Sequence, residues 1–567
     1  MRARTLFRLA LTGAVAVVAM QSTPAQACGG TFCDSGPIAM PVDQSGENIL
    51  FLIEDGRVEA HVQIQYQGEA ERFAWVIPVP KNPKFEVGSE PLFQAMLNGS
   101  VPAYGFTTSA DVCETRSSND SAGGGAFASG GAGGGAGSQG PQVVQRTQAG
   151  AFEIVVLEGG TAAEVSKWLG DNGYQDSDAA PAILDEYVQK GFLFAAVKLT
   201  AGTGVNEIHP LVFSYEGDEP CVPIKLTAVA ATEDMSVRTF FLGKERVVPT
   251  NYKHMTLNPV RIDWQSRGAN YMEVVSRAAD SPVANGQAFV TEYAGPSNVV
   301  SPAGVYSTSW DAAKFVSIEP TELYAELQIQ GFVSCGGGGG PSGPFCGFSH
   351  PLLLPLLQEY LPRPAGVTDE QFYSCISCYS DQLDLSKWDP ALFSQDFNDR
   401  IVRPGKRASE LLTKYPYLTR MLTTMSASEM TVDPMFHKRG DLPNVLLPGL
   451  ANQRQLCSGI NVFELPSGEQ VAIPPNGSWP TWDSKMPFAL TIEEVPLDGD
   501  PIVLVDNRKK VQNEVVANNF KAGWPEQETN GCACSTIGGS GGGEHTPILM
   551  LLGVGFLGLS AARRRFS

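Results

Sequence analysis

The chain has 567 residues, 40 of them basic and 60 acidic, for a net charge of −20. Hydrophobic residues make up 43%, close to ordinary globular chains, so sizeable cores can form and global disorder is excluded. The 60 glycines and 40 prolines favour strands and turns over a helical bundle. A coiled coil, a polytopic membrane protein and a basic nucleic-acid binder are all excluded. At roughly 100–200 residues per domain, two to four domains are expected.

Residues 1–27 read as a secretory signal. Arg2, Arg4 and Arg8 precede an apolar stretch over residues 9–20, and Ala25-Gln26-Ala27 offers a small-residue cleavage site. Cleavage there leaves Cys28 first, where a bacterial lipoprotein carries its lipid, although Ala25 stands where such proteins usually have Leu.

Residues 49–80 carry the clearest pattern. ILFLIE, an Asp55-Gly56 turn and RVEAHVQIQY predict a β-hairpin, Asp-Gly being a strong type I′ signal. Val58, Ala60, Val62, Ile64 and Tyr66 alternate with Glu59, His61, Gln63 and Gln65, so one face is expected buried and the other wet. On that pattern His61 is an exposed surface histidine. FAWVIPVP predicts a third strand, stopped by Pro78 and Pro80.

CGGTFC at 28–33, MPVDQSGENILFLIEDGRVEAHVQIQY at 40–66 and AERFAWVIPVP at 70–80 resemble the opening of the DUF2330 family of exported bacterial proteins. The resemblance implies a domain over residues 28–330 and brings no activity, cofactor or catalytic residue with it.

Residues 117–141 are Gly-rich and predict a flexible linker or long loop. An αβ block follows. Residues 152–157 predict a strand, Thr161-x-x-Glu164 a capping box, and residues 180–190 a helix. Strands are expected at 192–199, 210–215, 222–230 and 237–248, and helices near 271–279 and 322–330. Residues 347–430 read as mainly helical, with Leu411, Leu412, Tyr415, Leu418 and Leu422 at helical spacing. Residues 431–530 return to strands and loops, with Pro466-Ser467-Gly468-Glu469 as a hairpin turn. The fold class is therefore mixed α+β: a β-rich N-terminal domain with hairpins, a helical middle and a β-rich C-terminal part.

Setting aside Cys532 and Cys534 leaves nine of the 11 cysteines, and in an exported protein most should form disulfides. Nine is odd, so one is lipidated, free or paired with the tail. Short-range candidates are Cys28 with Cys33 and Cys335 with Cys346. Cys375-x-x-Cys378 reads foremost as a structural disulfide, with redox or metal chemistry as alternatives.

The last segment, residues 531–567, has three parts: Cys532 and Cys534, an apolar run at 547–562, and Arg563, Arg564 and Arg565. The run falls short of the roughly 20 residues of a full span. Positive residues beside it act as a stop-transfer signal. The order resembles the MYXO-CTERM sorting tail of myxobacterial surface proteins, which implies processing near a Cys and retention at the surface of a Gram-negative cell. Expected partners are thus the export machinery, a tail-processing enzyme and the membrane, with no nucleic acid.

Two motif matches carry no chemistry. Gly553-x-Gly555-x-x-Gly558 lies within the apolar run, and Gly538-x-Ser540-x-Gly542 within a Gly-rich spacer, so neither has the strand–turn–helix context its chemistry needs. No catalytic residue, metal or cofactor is expected. The sequence points to a structural or binding protein displayed on the cell surface. The alternatives are an extracellular hydrolase or thiol oxidoreductase using His350 and Cys375/Cys378, and a sugar binder using Trp479, Trp482 and Trp524.

Overall fold

The computed structural model describes residues 43–67, 73–111, 142–174, 180–200, 207–229, 231–336 and 345–524. Cys28, Cys33, Cys532, Cys534 and Arg563–Arg565 lie outside them, as do the signal and tail segments. The fold is mixed α+β, with a β-rich N-terminal region.

The hairpin forms where the sequence places it. β1 (Asp43–Glu54) and β2 (Arg57–Gln67) pair antiparallel through a two-residue turn, with Glu54 opposite Arg57. Asp55 and Gly56 both have positive φ, 51° and 70°, as a type I′ turn requires. This hairpin sits inside a ten-stranded mixed sheet. On one side of it come strands Leu211–Glu216 and β4 (Lys84–Val87); β3 (Ala74–Val79) instead joins another sheet. On the other side come strands Ala231–Gly243, Tyr417–Met425, Ala288–Pro296, Lys253–Leu257, Ala489–Glu494 and Ile502–Asp506, in that order.

β3 pairs in a four-stranded antiparallel sheet with Leu193–Leu199, Phe152–Glu158 and Gln142–Ala149. The two sheets pack face to face. Ile49, Phe51, Val58, Ala60 and Val62 of the hairpin meet Trp75, Ile77, Ile154, Val156, Ala195 and Val197 in one core. Helices α2 (Ala162–Asp171) and α3 (Ala180–Gln189) cover the outer face of the smaller sheet with Trp168, Leu169, Leu184 and Tyr187. The Thr161/Glu164 capping box is formed as the sequence indicates. On the far face of the large sheet, α1 (Glu90–Ser100) and the helix Arg403–Lys414 pack on Leu50, Leu52, Phe240 and Leu242. A separate cluster of Leu and Phe side chains holds the helices between Leu323 and Val402 together.

Three expectations need correction. Residues 415–422 are not helical: the helix ends at Lys414 and Tyr417–Met425 is a strand near the middle of the large sheet. Pro416 breaks the helical run, and a strand with eight of nine residues buried shows no period of two. Residues 222–230 form a short helix, Ile224–Thr227, after Pro223. His61 is not exposed, because helices close over the second face of β2; only 2% of its surface reaches solvent. Pro466–Glu469 does join an antiparallel pair, Asn461–Glu464 with Gln470–Ile473.

Candidate functional site

The strand Leu211–Glu216 has a cavity on each face, because successive side chains point to opposite sides. Val212 and Ser214 line a polar cleft of about 230 Å3, and Tyr215 lines an amphipathic cavity of about 600 Å3.

In the polar cleft β2 supplies Glu59 and His61, and the helix Arg403–Lys414 supplies Arg403 and Arg407. His61 Nε2 donates to Glu59 Oε1 at 2.8 Å. Arg407 grips the same carboxylate, its Nη2 2.6 Å from Oε2 and its Nε 3.3 Å from Oε1. Burial alone would raise the Glu59 pKa, but the His61 and Arg407 hydrogen bonds outweigh it and hold it at about 2. A carboxylate orienting a histidine is half of a nucleophile-activating arrangement. The other half is missing among the described residues. The Ser89 hydroxyl caps α1 by accepting from the Leu92 amide, the Ser214 hydroxyl accepts from Arg57, and neither bonds to His61.

The larger cavity lies between the end of β3, α3, the Cys221–Lys225 turn and residues 431–435. Pro78, Pro80, Phe192, Tyr215 and Pro223 make its apolar wall. Asp433 anchors the polar side. The Tyr187 hydroxyl donates to it, 2.8 Å from Oδ2, and the Lys225 amide donates to Oδ1 at 3.0 Å. Burial raises the Asp433 pKa, opposed by those two donors. Lys225 Nζ pairs with Glu186, whereas Lys190, exposed at the rim, makes no ion pair among the described residues. A neighbouring depression of about 420 Å3 shares Glu186, Lys225 and Thr431, so the cavity continues along α3.

Cys221 opens into this cavity and is the free cysteine of the described residues. Burial, then the Asp433 charge, pushes its thiol pKa well up, so it stays protonated. A protonated thiol is a poor nucleophile and a poor metal ligand. No group of three His, Cys, Asp or Glu side chains among the described residues could hold a metal ion.

Of the candidates named from the sequence, His61 lines the polar cleft, whereas His350, Cys375, Cys378, Trp479, Trp482 and Trp524 line neither cavity. Cys375 and Cys378 are joined in a disulfide. Cys375 caps the C-terminus of the helix Asp369–Ser374, and the negative end of a helix disfavours a thiolate. Cys335 and Cys346 lie opposite each other in a two-stranded antiparallel ribbon. His350 is buried beside Trp310 and Phe332 and accepts from the Leu352 amide; burial lowers its pKa to about 4. Trp479 and Trp482 both donate to the Val260 carbonyl, at 3.1 and 3.0 Å, and Trp479 is buried. Trp524 is half-buried against the cluster around Ile460. These indoles are packing anchors and form no exposed platform for a sugar. His209 is likewise satisfied, its Nδ1 donating to Pro210 O at 2.9 Å and its Nε2 accepting from the Ala151 amide.

Sequence reasoning missed Tyr187, Lys190, Cys221 and Asp433. They come from separate parts of the chain, and the odd cysteine count was the one available hint. No helix of the described residues is long and apolar enough to cross a membrane.

Fold and cavities together define a mixed α+β protein with a preformed amphipathic cavity and, among the described residues, no assembled catalytic group. Residues 23–326 match the sequence model of DUF2330, described as an uncharacterized protein conserved in bacteria, and the chain belongs to that family. No curated protein and no solved structure matches it. The match includes Tyr187, Lys190, Cys221 and Lys225 but ends before Asp433, so the family segment and the C-terminal part build the cavity jointly.

Proposed function

We propose that this is an exported binding protein, held at the bacterial surface through its C-terminal tail, which takes a small amphipathic molecule in the cavity beside Asp433. The carrying observation is the cavity itself: about 600 Å3, walled on one side by aromatic rings and prolines and on the other by Glu186, Lys190, Glu219, Lys225, Asn251 and Asp433. Ligand sites of unassigned proteins have this character. The protonated Cys221 thiol and the unfinished dyad at His61 argue for binding over turnover. Lys190, at the rim and without an ion pair among the described residues, fits a ligand with a flat apolar body and one acidic group.

Anilinonaphthalene sulfonate has that chemistry and serves as a probe. It should bind the folded protein at one saturable site. Lys190→Glu, on an exposed residue, should weaken it several-fold, and Cys221→Trp, which fills the cavity, by tenfold or more. Unchanged affinity in both variants, with melting temperatures intact, would remove the cavity as the site.

Export and anchoring rest on the signal-like residues 1–27 and on the order of Cys532/Cys534, apolar run and Arg563–Arg565. The export machinery and a tail-processing enzyme are the partners this requires, and a lipid on the retained Cys would take over anchoring. Fractionation of cells making the chain with and without residues 532–567 tests it. Equal surface retention of the two forms would refute the tail as anchor.

A further inference from the structure

The ten-stranded sheet ends differently on its two sides. One edge is β4, four residues long, with Lys84 and Glu86 exposed. Short, charged edges resist pairing with other strands. The opposite edge is Ile502–Asp506, which among the described residues pairs on one side alone, with Ala489–Glu494. Ile502, Val503 and Leu504 are 54%, 48% and 40% exposed, and Leu497 in the preceding turn is 64% exposed. Pro501 precedes this strand, and its one charged residue, Asp506 at the far end, is ion-paired with Arg508.

Its flanks are oppositely charged. Asp498 and Asp500 precede the strand, while Arg508, Lys509 and Lys510 open the helix Arg508–Lys521 that follows. The pairing with Ala489–Glu494 steps from Val505 to Val503, leaving Leu504 as the extra residue of a bulge, and an antiparallel pairing of two copies about this point brings their Leu504 residues together across the axis. It also brings the acidic turn of each copy toward the basic first turn of the other. A parallel pairing would set like charges together. We propose that this edge is a self-association surface, and that a second copy of the chain adds to it by antiparallel strand pairing around a two-fold axis. Isologous contacts of this kind are self-complementary by symmetry. A strand of five residues buries less than the ~1,200–2,000 Å2 of stable interfaces, so the dimer is weak and forms with rising concentration.

Sedimentation of the full chain in a mild detergent, across a wide concentration range, tests the proposal. The wild type should pass from monomer to dimer. Leu504→Lys, which faces like charges across the axis, should weaken the dimer at least about tenfold. Asp498→Lys should weaken it several-fold, and adding Lys510→Glu should restore it, since the pair of changes only exchanges the two signs. Both sites are exposed, so these variants should keep the wild-type melting temperature. A wild type that stays monomeric throughout, or a Leu504→Lys dimer as tight as the wild type, would overturn the proposal. Exchange-protected amides at residues 502–506 in a monomer would also overturn it, because the chain's own remaining segments would then cover the edge.

Discussion

The polar cleft and the amphipathic cavity use opposite faces of the strand Leu211–Glu216, and they treat a carboxylate in opposite ways. In the cleft Glu59 is surrounded by donors that carry charge or can take one, so it is held ionised well below the usual range. In the cavity the hydrogen bonds to Asp433 come from a phenol and a backbone amide, which are neutral, the Lys225 and Lys190 charges act on it only through space, and burial raises it. The carboxylate of the cleft is therefore held by its own neighbours. Glu59 already bonds both His61 and Arg407, the latter through two contacts, and of these groups the buried His61 Nδ1 has no partner among the described residues. The cavity keeps its apolar wall free, and its Lys190 ammonium makes no ion pair among the described residues. Local chemistry that looks most like a catalytic dyad is thus the more structural of the two sites.

The largest expected effect that separates them is on Cys221. With its thiol pKa pushed up by burial, alkylation by iodoacetamide near neutral pH should run at least about a hundredfold slower in the folded protein than in urea. Peptide mass analysis at Cys221 reads this directly. Comparable rates in the two states would mean the thiol is exposed and reactive, and would reopen nucleophilic chemistry in the cavity.

Stability comes next. Asp433→Ala strands the Tyr187 hydroxyl and the Lys225 amide without an acceptor and should cost about 2–3 kcal/mol. Asp433→Asn keeps an acceptor oxygen and should cost under about 1 kcal/mol. Arg407→Met leaves Glu59 with His61, and since the Arg407 side chain is 42% exposed the loss should be only about 1 kcal/mol. Urea midpoints give all three. If Arg407→Met proves costlier than Asp433→Ala, the cleft and not the cavity carries the tighter network.

How far these sites were legible follows from how each signal is written in the chain. The β1–β2 hairpin and the Thr161 cap are local, and local rules find them. The strand Tyr417–Met425 defeats the same rules because it is buried on both faces, so Leu418 and Leu422 fit helical spacing as well as any other. His61 was misread for a related reason: alternation in β2 is real, but its polar face looks onto a helix instead of water. The cavity is harder still. Tyr187 and Asp433 are 246 residues apart and meet only after two sheets have packed. Their pairing leaves no periodicity to read.

The sharpest test of the contrast is the change of stability with pH, because it depends on sign. Glu59 has a folded pKa of about 2 against an ordinary carboxylate value of 4.5. Its stabilisation is present above the ordinary value and is lost as pH falls through that value toward the folded one. Asp433 is raised, so its contribution is complete below its ordinary value of 3.8 and is lost as pH rises through the folded one. Glu59→Gln should therefore cost about 1–2 kcal/mol near pH 7, reduced for its partial exposure, and progressively less as pH falls from 5 to 2. Asp433→Asn should show the reverse slope: its cost shrinks as pH rises, because the wild-type carboxyl ionises at a growing expense. The buried histidines His209, His254 and His350, lowered by burial to about 4, 3 and 4, destabilise the fold as pH falls below their ordinary range. That trend is common to wild type and both variants, so it cancels in the differences. Urea unfolding at several pH values between 3 and 7 supplies the two difference curves. Slopes of the same sign would show that cleft and cavity hold their carboxylates alike, and the distinction between a locked site and an open one would fall with them.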